Sequence, residues 1–219
     1  MTSDHSLKTD VLAELAWEPM VSADHIGVTV RDGLVTLSGH VESYWQKRAA
    51  ETAAGRVKGV KAIAEEIVVR LPGEVQRSDE DIAAAVMNRL DWDGALPPDA
   101  VKVVVEDGYV TLTGDVPAHY QRVAAAAAVL PLWGVRGVAN QIGVLKPFAR
   151  PANPDQIADD IRSALNRGWF AADTVHVAAS GGTVTLSGAA ETLRDRDLAV
   201  STAWAAPGTM TVQNHIRIS

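Results

Sequence analysis

Apolar and polar residues alternate strictly in three short stretches: Ile26, Val28 and Val30; Val101, Val103 and Val105; and Val175, Val177 and Ala179. A period of two is the mark of a half-buried strand. Each stretch runs into Asp32-Gly33, Asp107-Gly108 or Gly181-Gly182, dipeptides suited to a type I′ turn with positive φ at both central positions. A return strand follows in each case, with Val35 and Leu37 on one face and Thr36 and Ser38 on the other in the first copy.

Helical spacing takes over on either side of these hairpins. Val11, Leu12 and Leu15 follow a cap at Thr9 or Asp10. Ile82, Val86 and Leu90 follow the capping-box pair Ser78 and Asp81, and Ile157, Ile161 and Leu165 follow Asn153-Pro154. Trp17, Trp92 and Trp169 end these helices. Second helices are predicted over 43–57, 117–132 and 192–206, with alanine stripes (Ala50, Ala53, Ala54; Ala125, Ala128; Ala199, Ala203) that imply close approach to a sheet. Last strands carry Ile63, Ile67 and Val69; Val138, Ile142 and Val144; and Val212, Ile216 and Ile218.

The segments between are equally repetitive. Val35-Thr36-Leu37-Ser38-Gly39 recurs as Val110-Thr111-Leu112-Thr113-Gly114 and Val184-Thr185-Leu186-Ser187-Gly188, at spacings of 75 and 74 residues. A glycine stands two residues before each block (Gly33, Gly108, Gly182) and another twenty after its end (Gly59, Gly134, Gly208). The glycine ending each block is expected to let the chain leave the sheet. A repeat this long is a small domain. The predicted fold class is α+β: three tandem two-layer αββαβ sandwiches, each a three-stranded sheet covered by two helices, over residues 1–72, 73–148 and 149–219. Modules of this size stand near the lower limit for an independent core, so they are expected to pack together or oligomerise. The joining segments hold Pro72-Gly73 and Pro147, Pro151 and Pro154.

Composition narrows the function. The net charge of −7 is spread over all three copies, none of them basic, which weighs against a dedicated nucleic-acid binder. Gly134-Val135-Arg136-Gly137 has the G-x-x-G form of a backbone clamp but is not repeated, and reads as a helix stop. The chain has no cysteine, and its six histidines have no metal spacing, so neither metal nor cofactor is expected. Asp91 and Asp93, or Asp159 and Asp160, fit helix-end solvation better than a carboxylate dyad. Ser38 and Ser187 lie on hairpin strands, not nucleophile elbows. No catalytic residue is expected. With no apolar run long enough to span a bilayer and no export signal, a cytoplasmic protein is expected, periplasmic if a signal was trimmed.

The remaining candidate chemistry is aromatic and cationic. Tyr44, Trp45, Lys47 and Arg48 open the second helix of the first copy, with Arg56, Lys58 and Lys61 near its end; Tyr120 and Arg122 correspond in the second copy. Amphipathic aromatics beside cations suit a lipid headgroup interface, each cation adding about 1 kcal/mol near an anionic surface. The competing reading is structural, with Trp45 covering a sheet edge and the cations solvated. The tryptophans at the helix ends read first as core or interface anchors, although the loop from Asp93 to Pro97 can present Trp92 to a surface.

The hairpin glycine, the V-T-L-[ST]-G strand and the closing V-x-N-x-I-x-V strand together resemble the BON domain. Val138, Asn140, Ile142 and Val144 satisfy that closing pattern, as do Val212, Asn214, Ile216 and Ile218; the first copy departs with Glu65 in place of asparagine. The resemblance implies an αββαβ fold, no enzymatic activity, and binding of phospholipid or protein partners at the bacterial envelope under osmotic stress. The function expected is therefore a non-catalytic binding protein docking on anionic phospholipid headgroups by peripheral contact. The alternatives are a protein-interaction scaffold, a homo-oligomer among its forms, and small-ligand carriage between modules of a transport-associated protein, suggested only by the number of tryptophans.

Overall fold

The computed structural model describes residues 4–73, 77–145, 153–167 and 174–219. Trp169 and two of the linker prolines, Pro147 and Pro151, lie outside them. The first module contains α1 (Asp4–Trp17), β1 (Ile26–Arg31), β2 (Leu34–Val41), α2 (Tyr44–Ala54) and β3 (Ala62–Val69). The second contains α3 (Asp79–Asp91), β4 (Val101–Glu106), β5 (Tyr109–Val116), α4 (His119–Val129), β6 (Gly137–Asn140) and β7 (Gly143–Val144). The third contains α5 (Pro154–Arg167), β8 (Val175–Ser180), β9 (Thr183–Ala190), α6 (Leu193–Ala205) and β10 (Thr211–Ile218). In each module the hairpin return strand is central, antiparallel to the strand before it and parallel to the last.

Each core sits between sheet and helices. Leu7, Val11 and Leu15 of α1 and the alanines of α2 close on Val28, Val35, Leu37 and Ile67, all buried. The alanine stripe lets α2 lie against the sheet, as the sequence implied. Leu12, by contrast, is exposed, and α1 begins five residues before Thr9. The earlier start brings Asp4 to the hairpin turn, where its carboxylate accepts a bond from the Asp32 N–H at 3.0 Å. Asp79 does the same for Asp107 and Gly108 at 2.8 and 2.9 Å.

The paired glycines of the repeat meet in space. In every module the carbonyl of the turn glycine (Gly33, Gly108, Gly182) accepts a bond from the residue entering the last strand (Lys61, Arg136, Met210) at 2.8–2.9 Å. A Cβ on those turn glycines would stand 2.7–3.1 Å from the carbonyl oxygens of Gly59, Gly134 and Gly208. The block-ending glycines do not release the chain, as the sequence suggested. Gly39, Gly114 and Gly188 are paired inside their strands with φ of +113 to +120°, because a Cβ there would lie 2.0–2.1 Å from the carbonyl oxygen of His25, Ala100 or Thr174.

The last strand of the middle module, expected as one piece, is two: β6 and β7 pair with separate parts of β5, and the break lies beside Asn140, whose amide is tied to the Arg122 carbonyl at 2.7 Å.

The modules pack against one another through equivalent residues, the first of each second helix. Tyr44 of α2 packs on the core of the second module. His119 of α4 stacks on Trp204 of the third, ring centroids 4.5 Å apart and planes within 6° of parallel. Leu193 of α6 is buried in the core of the first, while the Arg194 N–H donates to the Gly55 carbonyl at 3.1 Å. First to second, second to third and third to first, the three contacts run in one direction and close a ring. Head-to-tail contacts of this kind stay finite only when the rotation closes.

Gly114→Ala is expected to cost about 2 kcal/mol or more, since neither the positive φ nor the Ala100 carbonyl tolerates a methyl group. The denaturation midpoint measures it, and a loss under about 0.5 kcal/mol would show that the strand relaxes around the clash.

Candidate functional site

The ring has seams, and two of them open into clefts. At the seam between third and first modules, a cleft of about 630 Å³ is lined by Arg48, Lys61, Arg194 and Arg196, with Glu51 and Asp197 the carboxylates among its walls. Arg48 pairs with Glu51 and Arg196 with Asp197. Among the described residues, the side chains of Lys61 and Arg194 form no ion pair. A chain with a net charge of −7 thus concentrates an excess of positive charge in one concave place. Such a place attracts anions, because low-dielectric walls focus the field of the cations. Lys58 bridges the same seam, bonded to Glu191 at 2.9 Å.

At the seam between second and third modules, a cleft of about 560 Å³ is lined instead by apolar and aromatic groups, Tyr120, Val123, Leu145, Trp204 and Met210 among them. The two clefts use corresponding positions of the repeat. Gly55, Lys61, Leu193 and Arg194 at the first seam correspond to Trp204, Met210, His119 and Tyr120 at the second. His119 Nδ1 and the Thr209 hydroxyl in the second cleft are buried without a hydrogen-bond partner, a condition that typically costs about 1–3 kcal/mol per group.

Of the residues singled out from sequence, Arg48 and Lys61 come together in the cationic cleft, and Trp45 remains on the surface next to it in sequence, 37% exposed. Tyr44 is taken up by the contact with the second module. Lys47 turns inward, 2.6 Å from Glu65 and bonded to the Ile67 carbonyl at 2.8 Å. Arg56 ties α1 to the end of α2 through Glu14 at 2.6 Å and Glu18 at 2.8 Å. Its hydrogen bond to Glu18 holds that carboxyl below its ordinary pKa. Arg122 reaches the Asn140 carbonyl at 3.4 Å, and Tyr120 stands at the apolar cleft, 63% exposed.

The sequence missed Arg194 and Arg196, because they lie in the copy without the aromatic signal. Arg196 occupies the position of Lys47 and Arg122 in the repeat, so the register alone could have marked it.

Trp17 and Trp92 are corrections. Read as core or interface anchors, they are 82% and 86% exposed. The buried stripes of α1 and α3 end at Leu15 and Leu90, two residues earlier, and the tryptophans fall on the opposite side. Met20 and Met87, also exposed, lie near them in sequence.

Among the described residues no group of acidic or histidine side chains could hold a metal ion, and no helix is long and apolar enough to cross a membrane.

Burial, aided by the charge of Arg122, lowers the pKa of His119 from its ordinary 6.5. The fold therefore favours the neutral ring, and the stability this contributes is full above pH of about 6.5 and lost as pH falls toward the lowered value. His119→Phe keeps a ring on Trp204 and is expected to flatten the acid limb of melting temperature against pH below about 6.5. An unchanged acid limb would show that His119 does not set it.

The BON domain family matches residues 3–70, 78–146 and 153–219. Osmotically-inducible protein Y of Escherichia coli strain K12 is 31% identical over 143 residues, 64% of this chain and 71% of that protein. Among solved structures, CdsD, a structural protein of the type III secretion system of Chlamydia trachomatis, aligns over 96% of this chain and 91% of its own at 15% identity and a TM-score of 0.28. The PrgH periplasmic domain aligns over 89% and 95% at 13% identity and a TM-score of 0.21. Three matched segments, three sheets built on one strand order and a hairpin-to-strand clamp made three times lead to one conclusion: the chain belongs to the BON domain family, in three tandem copies.

Proposed function

We propose that this protein is a non-catalytic binder of anionic phospholipid headgroups acting in an osmotic or envelope stress response. The observation that carries the reading is the cleft between third and first modules. There Lys61 and Arg194 have no carboxylate partner among the described residues, while the chain as a whole is acidic. Phosphodiester headgroups match this chemistry: they present charge at a surface and accept from guanidinium and ammonium donors without a shape-specific pocket. The exposed indoles of Trp45, Trp17 and Trp92 are suited to the boundary between headgroups and acyl chains. Similarity to an osmotically-inducible protein supports the stress context.

Co-sedimentation with phosphatidylglycerol vesicles tests the proposal, with phosphatidylcholine vesicles as the uncharged control. Binding is expected at low salt and lost near 0.5 M salt, where the screening length falls to a few ångström. Lys61→Glu combined with Arg194→Glu is expected to weaken it by about tenfold or more, at about 1 kcal/mol for each cation near the surface. No binding to phosphatidylglycerol at low salt, or equal binding to both vesicle types, removes the proposal.

A further inference from the structure

The cleft between second and third modules differs from the cationic one in every respect that decides what it holds. Its lining contains no lysine, arginine, aspartate or glutamate. A charged ligand would lose its hydration there without gaining a partner. Its volume, about 560 Å³, falls within the range of small-molecule sites. One wall is the parallel stack of His119 on Trp204, with Tyr120 beside it, a set of flat surfaces against which another ring packs favourably. Two buried polar atoms of the lining, His119 Nδ1 and the Thr209 hydroxyl, have no hydrogen-bond partner.

From this geometry we infer that the seam between second and third modules is a binding site for an uncharged ring compound carrying a hydroxyl group. The rings fill the apolar space. Both polar atoms are covered in this structure, so the lining shifts to uncover one of them, and the hydroxyl then donates to the imidazole nitrogen or accepts from Thr209, roles no hydrocarbon can take. Burial favours the neutral His119 ring, which has one acceptor nitrogen. This site is independent of the headgroup cleft: it lies at another seam and lacks that cleft's cations.

The test uses three probes of one shape: 1-naphthol, naphthalene and 1-naphthoate. Each is titrated into the full chain, with the Trp204 indole and the Thr209 and Met210 amides followed by heteronuclear NMR. 1-Naphthol is expected to give saturable shifts at these three positions. Naphthalene should bind about tenfold more weakly for want of the hydrogen bond, and 1-naphthoate more weakly still. His119→Phe keeps the stack and should bring 1-naphthol down to the affinity of naphthalene. Thr209→Val, away from the stack, provides the same comparison should the first variant fail to fold. Val123→Trp, at a half-exposed position of the wall, should block all three probes. The inference is overturned if 1-naphthol leaves these resonances unmoved up to about 1 mM, if naphthalene or 1-naphthoate binds as well as 1-naphthol, or if both hydrogen-bonding variants bind 1-naphthol like the parent chain.

Discussion

A module of about 70 residues buries a smaller share of its surface than a larger domain does, and in this protein each module lends one residue to the next. Tyr44, His119 and Leu193 open the second helices, and each is received by a neighbour. Leu193 is buried among the core residues of the first module, 8% exposed. Both clefts exist only because these contacts hold the modules at fixed seams. The arrangement has the logic of a cyclic trimer written into one chain: contacts of one sense, closed after three steps. A single chain gains a freedom that identical subunits lack, since each seam can carry different side chains.

Local geometry was legible wherever backbone chemistry dictates the residue. Asp32-Gly33 and its counterparts announce type I′ turns, and the structure places both residues of each pair at positive φ. The glycine twenty residues after each block could be seen but not understood from sequence, because its role is to face the turn glycine across the end of the sheet. Apolar periodicity marked buried positions in each of the six α-helices among the described residues, but included the exposed Leu12 in α1. It misjudged Trp17 and Trp92 in reading a tryptophan repeated at the helix ends first as a core or interface anchor; both are exposed, as the alternative of surface presentation had it for Trp92.

The departure of the first copy from the closing-strand pattern has a simple resolution. Asn140 and Asn214 each accept, through the side-chain oxygen, the N–H of the residue two ahead, at 3.2 and 3.0 Å; Glu65 does the same for Ile67 at 2.7 Å. The glutamate preserves the bond and adds a charge, which draws Lys47 onto the strand. That is why a cation placed on the surface by sequence is absent from the cationic cleft. The strand position of Glu65 is held by Asn214 in the third module; the counterpart Arg196 pairs with its neighbour Asp197 and lines the seam.

Divergence among the copies is therefore informative about function where it falls on the seams. The clamp, the positive-φ glycines and the alanine stripes are kept in all three modules because each core fails without them. At the seams the same backbone positions hold Gly55 and Trp204, Lys61 and Met210, Arg194 and Tyr120. Packing alone needs no such change of chemistry: an apolar seam would serve the ring as well at either place, and better than one with Lys61 and Arg194 unpaired side by side with bonded arginines. Among the described residues, one seam carries two exposed cations without a carboxylate partner, and the other carries two buried polar atoms without a hydrogen bond, the latter a cost to stability. The unbonded polar atoms lie in the lining of a cleft, next to a part of the seam that packing leaves unfilled.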